Sequence, residues 1–365
     1  MTTVMIAGGG TGGHLMPALA IADAIVAARP EARVVLVGAE RGIEARLLPG
    51  RGYPYTLLPA EPIYRREWWK NLRLPVTMAR VLRLAGVLLD RERPDVVVGT
   101  GGYAAGPVVW LAARRGIPAA IQEQNAYPGI ASRRLAGVVR EIYLGVPEAV
   151  RRLRPGGRTA VVDTGNPIAP PDRGASFRAA AMASLGLREG VPIVVVTGGS
   201  QGSLAINTQT AEWLDAGGGE GVQLLWSAGR ATAAQFARFH RPPGVQLFEF
   251  IDPMAAAWAV ADLAVCRAGM MTIAELAAWG VPSILIPLPT AAADHQTPNA
   301  QVMANAGAAI HLPQRDLTPG LLGREIDRVL GDQVFRTGLM ECALSRGKPT
   351  AAAQIAARIL ALSDS

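Results

Sequence analysis

Along this chain, short β-branched or aliphatic runs alternate with alanine- and leucine-rich segments whose apolar positions recur at helical spacing. Residues 4–7, 33–37, 95–99, 118–122, 193–197, 222–226, 245–248, 262–265 and 283–286 read as strands, and segments such as 17–28 and 273–279 as helices. Strands that alternate with helices imply parallel sheets covered by helices on both faces. The series breaks at "DTGNPIAPPDRG" (163–174), where Pro167, Pro170 and Pro171 with Gly165 and Gly174 exclude a helix or a central strand. The pattern then restarts with an apolar strand and a second glycine-rich turn. The expectation is an α/β chain of two Rossmann-like domains, 1–164 and 165–345, facing across a cleft lined by the carboxyl ends of the strands. A last helix, about 346–365, is expected to pack back on the first domain.

Composition narrows the setting. A chain of 365 residues exceeds what one core usually organises, and 50% hydrophobic with 18% charged residues suits a folded chain. The uncharged run "VVVGTGGYAAGPVVWLAA" (96–113) approaches membrane-spanning length, but Gly99, Gly101, Gly102, Gly106 and Pro107 fit a buried strand, a tight turn and a new helix. The run 277–293 carries Pro282, Pro287 and Pro289 and spans even less readily. Cys266 and Cys342 build no disulfide framework, which points to a reducing compartment. The N-terminus enters a strand-like run without a basic segment and signal-type core, so a cytoplasmic chain is expected. A net charge of +7 favours an anionic partner: nucleic acid, a phosphorylated small molecule or an acidic membrane surface.

Candidate chemistry gathers at strand ends. In "VMIAGGGTGGHLMP" a strand runs into glycines and then a helix, placing backbone N–H groups and a positive helix end at one point. Gly8, Gly10 and Gly13 formally satisfy the dinucleotide fingerprint, with Glu40 at the end of the next strand as a ribose contact. No Gly-Lys-Ser/Thr follows, so a P-loop is excluded. His14 stands just before Pro17, which reads as a first-turn proline; the histidine either caps the helix or acts on a substrate. Other polar strand ends are "GTGGYAAGP", "IQEQNAYPG", "CRAGMMTIAELAAWGVP" and "PTAAADHQTPNA". Thr272 and Glu275 read as a capping box at a helix start.

Taken together and in order, "GGGTGGH" with Pro17, "GGYAAGP", "EQN", "TGNP", "GGSQGS", "FIDPM", "CRAGMMTIAE" and "DHQTPNA" cover nearly the whole chain. The set resembles the GT-B glycosyltransferases, and within them the bacterial enzymes that transfer N-acetylglucosamine from UDP-N-acetylglucosamine to lipid I, making lipid II. The resemblance implies that Met270, Met271, Thr272, Ile273, Ala274 and Glu275, with Ile251, hold uracil and ribose, Glu275 accepting from the ribose hydroxyls. It implies that Ser200 contacts the diphosphate, Gln296 the sugar hydroxyls, and Thr11, Gly12, Gly13 and Asn125 the sugar and phosphate. His14 is then the general base, and Arg267 either holds phosphate or pairs with a carboxylate. Two positions depart from the family's pattern: Ile168-Ala169 follows "TGNP" where an arginine is common two residues on, and Gln122 replaces a histidine before "EQN". Arg173 is the nearest residue able to compensate for the first.

The implied reaction is a single inverting displacement. An imidazole of ordinary pKa about 6.5 takes a hydroxyl proton at neutral pH, typically worth about 10²–10⁴-fold. N–H groups and helix ends stabilise the leaving diphosphate, so neither metal nor cofactor is expected. Because the acceptor is lipid-linked, "EWWKNLRLPVTMARVLRLAGVLLDRER" (67–93) is read as a membrane-facing segment on the cytoplasmic side, with Trp68, Trp69 and Leu72 beside Arg73, Arg80 and Arg83. An NAD-dependent oxidoreductase explains only the first glycine loop. A UDP-N-acetylglucosamine epimerase needs no lipid, and a non-catalytic scaffold needs no base. Nucleic acid is the least supported partner, since the basic residues are dispersed and no reading motif is present.

Overall fold

The structure, a computed structural model, describes residues 1–62, 64, 67–199 and 201–364, with the side chains of Trp68 and Lys70 outside the described set. It divides into two compact units, Met1–Ala169 with Pro349–Ser365, and Pro170–Lys348.

The first unit runs β1 (Thr3–Gly8), α1 (Gly12–Ala28), β2 (Arg33–Ala39), α2 (Glu44–Leu47), β3 (Tyr55–Leu58), α3 (Leu74–Glu92), β4 (Val96–Gly101), α4 (Ala105–Arg114), β5 (Ala119–Glu123), α5 (Ile130–Leu135), β6 (Glu141–Leu144) and β7 (Ala160–Asp163). Among the described residues the strands form one parallel sheet in the order β3-β2-β1-β4-β5-β6-β7. The order reverses between β1 and β4, which opens a crevice at their carboxyl ends. The long uncharged run becomes β4, a turn and α4, as its glycines require.

The second unit runs α6 (Ala175–Ser184), β8 (Ile193–Thr197), α7 (Leu204–Asp215), β9 (Gln223–Ser227), β10 (Val245–Phe248), α8 (Met254–Val260), β11 (Leu263–Cys266), α9 (Met270–Trp279), β12 (Ser283–Leu285), α10 (Gln296–Asn305), β13 (Ile310–His311), α11 (Pro319–Gly331) and α12 (Gln333–Arg346). Its sheet, also parallel, has the order β10-β9-β8-β11-β12-β13 and reverses between β8 and β11. Trp226 on β9 is fully buried and packs on Phe236 and Phe239 at ring-centroid distances of 5.2 and 5.9 Å. No helix of the described residues is long and apolar enough to cross a membrane.

Two helix starts differ from the sequence expectation. Helix α1 begins at Gly12 with Thr11 as its extended N-cap residue, so Pro17 is the sixth helical residue and not part of the first turn. The cost is small, because the carbonyl that loses its partner belongs to Gly13, which is exposed and solvated. Helix α9 begins at Met270 after Gly269, with no side-chain cap, so Thr272 and Glu275 are interior positions and form no capping box.

The last helix, α13 (Ala351–Ser363), returns to the first unit and packs on α1. Ile355, Ala356 and Ile359 are fully buried in one cluster with Leu15, Ile21 and Ile25. Arg358 adds a bidentate pair to Glu141, at 2.7 and 2.8 Å. Removing the δ and γ carbons of Ile359 leaves a cavity that neither α1 nor the sheet can fill. Ile359→Ala is therefore expected to destabilise the first unit by about 2–5 kcal/mol in urea denaturation. A loss below about 0.5 kcal/mol, the range of surface changes, would show that α13 is not part of this core.

Candidate active site

In the first unit, two glycine turns interlock where the strand order reverses. A Cβ on Gly102 (φ +84°) would strike the Gly9 carbonyl, and one on Gly8 the Thr100 side chain, so both backbones approach within glycine distance. Gly101 (φ +98°) lies against the His14 ring: a Cβ there would sit 2.6 Å from Cδ2 and 3.0 Å from Nε2. The Thr100 hydroxyl donates to the His14 carbonyl at 2.8 Å. The imidazole Nδ1 lies 3.2 Å from the Gly9 carbonyl oxygen and 3.1 Å from Thr11 Oγ1. A carbonyl only accepts, so the Gly9 contact is a hydrogen bond when the proton is on Nδ1, whereas Thr11 Oγ1 serves either tautomer; with the proton on Nδ1, Nε2 is the basic nitrogen of the neutral ring.

The loop is held from below by a residue the sequence reading passed over. Glu44, the first residue of α2, has no exposure to water. Its Oε1 accepts from the Gly10 N–H at 2.8 Å and the Ala39 N–H at 2.7 Å, and its Oε2 lies 2.9 Å from the same Gly10 nitrogen. Gly9, Gly38 and Gly42 surround this side chain so closely that a Cβ on any of them would overlap it. Those three glycines in separate segments were the available sequence signal. Glu40, read as a ribose contact, is exposed instead. The dinucleotide reading fails on the same geometry, because the Gly10 N–H already serves a carboxylate whose charge repels a pyrophosphate.

The "EQN" segment ends β5. The Glu123 carboxylate accepts from the N–H groups of Asn125 (3.0 Å) and Gly129 (2.9 Å), and Asn125 Nδ2 also reaches it at 3.2 Å. Asn125 is thereby fixed, half-buried, at the strand end. Gln122, Gln124 and Asn166 are buried and share amide hydrogen bonds: Gln122 Nε2 donates to Asn166 Oδ1 (2.9 Å), and Gln124 Nε2 to the Thr100 carbonyl (2.7 Å). Gln122 thus satisfies buried amides, which accounts for an uncharged residue at that position.

In the second unit Arg267, at the end of β11, is buried. Nη1 donates to the carbonyls of Ile286 (3.2 Å) and Pro287 (3.0 Å), and Nη2 to Ser203 Oγ and Gln314 Oε1, both at 2.7 Å. The alternative of a carboxylate pair does not describe these bonds, since every partner is a neutral acceptor. Burial pulls its pKa down to about 10, still fully cationic at neutral pH. Ser203 is also the N-cap of α7, accepting from the Ile206 N–H, so the guanidinium sits beside a positive helix end. Gln314 was not foreseen.

On α9, Met270 and Ile273 are buried, whereas Met271, Thr272, Ala274 and Glu275 are partly exposed. Ile251 is buried before α8. Glu275 Oε2 accepts from Trp258 Nε1 at 3.0 Å; burial raises its carboxyl pKa, and the indole bond opposes this. Gln296 opens α10, its Oε1 accepting from the Leu288 N–H at 2.9 Å, which directs the amide nitrogen elsewhere. Arg173, the expected compensation at Ala169, bonds the Ala278 carbonyl instead. Thr11 and Gly13 are exposed and Gly12 partly so. Ser200 lies outside the described residues.

Helix α3 buries Val81, Ala85, Leu88 and Leu89 and leaves a mixed surface. Leu72 and Val76 are each 75% exposed and Trp69 54%, alongside exposed Arg73, Arg80 and Arg83. The Trp68 side chain lies outside the described residues.

Comparison with known proteins identifies the family. Residues 4–144 match the glycosyltransferase family 28 N-terminal domain and residues 193–355 its C-terminal domain. The chain is 42% identical over 363 residues to the UDP-N-acetylglucosamine–N-acetylmuramyl-(pentapeptide) pyrophosphoryl-undecaprenol N-acetylglucosamine transferase of Salinibacter ruber, covering 99% of this chain and 97% of the relative. It is 39% identical over 360 residues to the protein of the same name from Anaeromyxobacter dehalogenans, covering 97% and 91%. The crystal structure of Acinetobacter baumannii MurG superposes with a TM-score of 0.77 at 26% identity, covering 99% of each chain. The calicheamicin glycosyltransferase CalG4 shares the fold, with a TM-score of 0.68 at 17% identity, covering 99% of this chain and 98% of that one. Two Rossmann-like parallel-sheet units of the GT-B type, with these matches over nearly the full length, establish that the chain belongs to glycosyltransferase family 28.

Proposed function

We propose that this chain transfers N-acetylglucosamine from UDP-N-acetylglucosamine to the muramyl 4-hydroxyl of lipid I, with inversion, forming lipid II for peptidoglycan synthesis and hence for cell shape and division. The near full-length likeness to relatives named for that transfer supports the substrates. The observation that carries the chemistry is the His14 ring, whose Nδ1 faces the Gly9 carbonyl; with the proton there, Nε2 is the basic nitrogen. Nε2 takes the acceptor hydroxyl proton as that oxygen attacks the anomeric carbon, and UDP leaves with the bonding pair.

The donor belongs to the second unit. The α9 segment from Met270 to Glu275, with Ile251, holds uracil and ribose, the buried Met270 and Ile273 offering only backbone. Glu275 accepts from the ribose hydroxyls and Gln296 donates to the sugar. Ser200 meets the diphosphate, while Arg267 supplies positive potential from behind the loop. In the first unit Thr11, Gly12, Gly13 and Asn125 position the sugar near the base, while the phosphate contact expected of them is left to the second unit, since the Glu44 carboxylate behind this loop disfavours it. Backbone N–H groups, helix ends and the guanidinium serve the leaving group without a metal or other cofactor.

The lipid-linked acceptor requires a membrane surface, and we assign it to the mixed apolar and basic face of α3, on the cytoplasmic side as a peripheral attachment. No role for nucleic acid is proposed. Binding to vesicles of anionic phospholipid, with little to zwitterionic ones, should weaken as salt rises and be lost in R73E/R80E/R83E, about 1 kcal/mol per arginine, with donor affinity retained. Equal binding to both vesicle types would remove the assignment.

Replacing His14 by alanine is expected to lower turnover by about 10²–10⁴-fold with donor binding kept; unchanged turnover would eliminate the proposed base. Glu275 makes donor binding pH-dependent. Its pKa is raised above 4.5, and only the ionised form accepts two ribose hydroxyls, so affinity falls as pH drops through that raised value. Calorimetric titration should show this fall, and Glu275→Gln should abolish it while weakening binding at neutral pH by about 10-fold or more, the value of hydrogen bonds to a charge. A pH-independent donor affinity in the parent protein would refute the contact.

A further inference from the structure

We propose that Glu44 is a positioning residue that raises the basicity of His14 through the single peptide group between them. The inference rests on the reading of His14 as the base, and it concerns a residue to which the proposed reaction gives no task.

The geometry is a relay. The Gly9 carbonyl and the Gly10 N–H belong to one peptide unit. The N–H end donates to the Glu44 carboxylate at 2.8 Å, and the carbonyl end accepts from His14 Nδ1 at 3.2 Å. Hydrogen bonds in series polarise one another, so an anion on the N–H end makes the carbonyl a stronger acceptor. A stronger acceptor at Nδ1 favours the imidazolium and therefore the basicity of Nε2. When Nε2 takes the acceptor hydroxyl proton, the O–H bond breaks and an Nε2–H bond forms. The Nδ1 proton stays on Nδ1, since the peptide carries the influence of the charge and no proton. A carboxylate thus supports an imidazole with a peptide inserted where other sites use direct contact.

The charge exceeds what the fold requires. Oε1 alone accepts from both Gly10 and Ala39, so a neutral acceptor would satisfy the same donors. A fully buried carboxylate is costly, and among the described residues no arginine or lysine pairs with it. Three glycines clear the space it occupies, which spends backbone freedom to keep it there. Among the described residues, Tyr103 lies with its ring against Gly10, and Tyr64 and Arg41 act on Tyr103 in turn. The Tyr103 hydroxyl is held above its usual value by burial and then by the Glu44 charge, so it stays neutral. Arg41 is exposed and engaged with Glu61 at 3.5 Å. Glu44 is the anion that the Gly9–Gly10 peptide unit joins to the imidazole.

The test is NMR of the full chain with ¹⁵N-labelled histidine, the His14 signals being assigned by their loss in His14→Ala. In the parent protein the neutral ring should be the Nδ1–H tautomer, and the Gly10 amide resonance should shift at the pH where His14 titrates. In Glu44→Gln the His14 pKa should fall by about half a pH unit or more, a change of at least about threefold in proton affinity. The acid limb of kcat/KM should move to lower pH with it while donor KM is unchanged. A purely structural clamp would lower the plateau without moving the limb. An Nε2–H tautomer, a Gly10 amide blind to His14, or an unshifted His14 pKa in folded Glu44→Gln overturns the proposal; the first two need no variant to fold. Failure of the base reading is separate: His14→Ala would keep its turnover, whatever the coupling between Glu44 and the ring.

Discussion

A single carboxylate without access to water sets the shape of the loop end of the first unit. Glu44 ties the end of β2, through Ala39, to the Gly9-Gly10 turn after β1, and the turn in turn fixes the Nδ1 side of His14. None of these contacts forms unless backbone passes within a carbon radius of the carboxylate, which is why glycine stands at Gly38 and Gly42 nearby and at the remote Gly9. The second layer of constraint is the β4 turn, whose Gly101 and Gly102 bring one backbone against the imidazole and another against the Gly9 carbonyl. Histidine orientation is therefore a consequence of close packing between loops, more than of its own helix.

The second unit solves the same mechanical problem with the opposite charge. Its glycine loop leads to Ser203, and Arg267 joins that residue to the carbonyls after β12 and to Gln314. The sign of the buried charge separates what the two loops can bind. Unit charges about 4 Å apart at an effective dielectric of about 20 interact by about 4 kcal/mol. An anion behind the first loop disfavours a diphosphate there, and a cation behind the second favours one. The overall excess of positive charge could not have made this distinction, since it is the same number for both loops.

Departures from the family's motif pattern have structural content. Gln122 is inside a buried amide network with Gln124 and Asn166, where each polar atom needs a partner and a charge would need more. Arg173 is near Ala169 in sequence, but its guanidinium is spent on the end of α9. The same helix illustrates how a local signal misleads: Thr272 and Glu275 have capping-box spacing, yet Gly269 begins the helix and Glu275 turns to Trp258 on α8.

By itself, the sequence determined the alternation of strands and helices, the two α/β units and the loops that carry chemistry, because apolar periodicity and glycine turns are local properties. The long interior strands were legible for that reason, while the short β3, β6, β7 and β13, of four residues or fewer, were not. His14, Glu275, Gln296 and Arg267 were legible as polar residues at strand or helix ends. Only the tertiary structure decided what each one touches. Glu44 looked like one acidic residue among several, and Glu40 was the better placed in sequence. The choice between them depends on β2, β1 and α2 converging, a contact across 34 positions that no local pattern encodes. Likewise, the contact between His14 Nδ1 and the Gly9 carbonyl depends on a peptide unit whose N–H end is held by a carboxylate that only the folded chain brings beneath it.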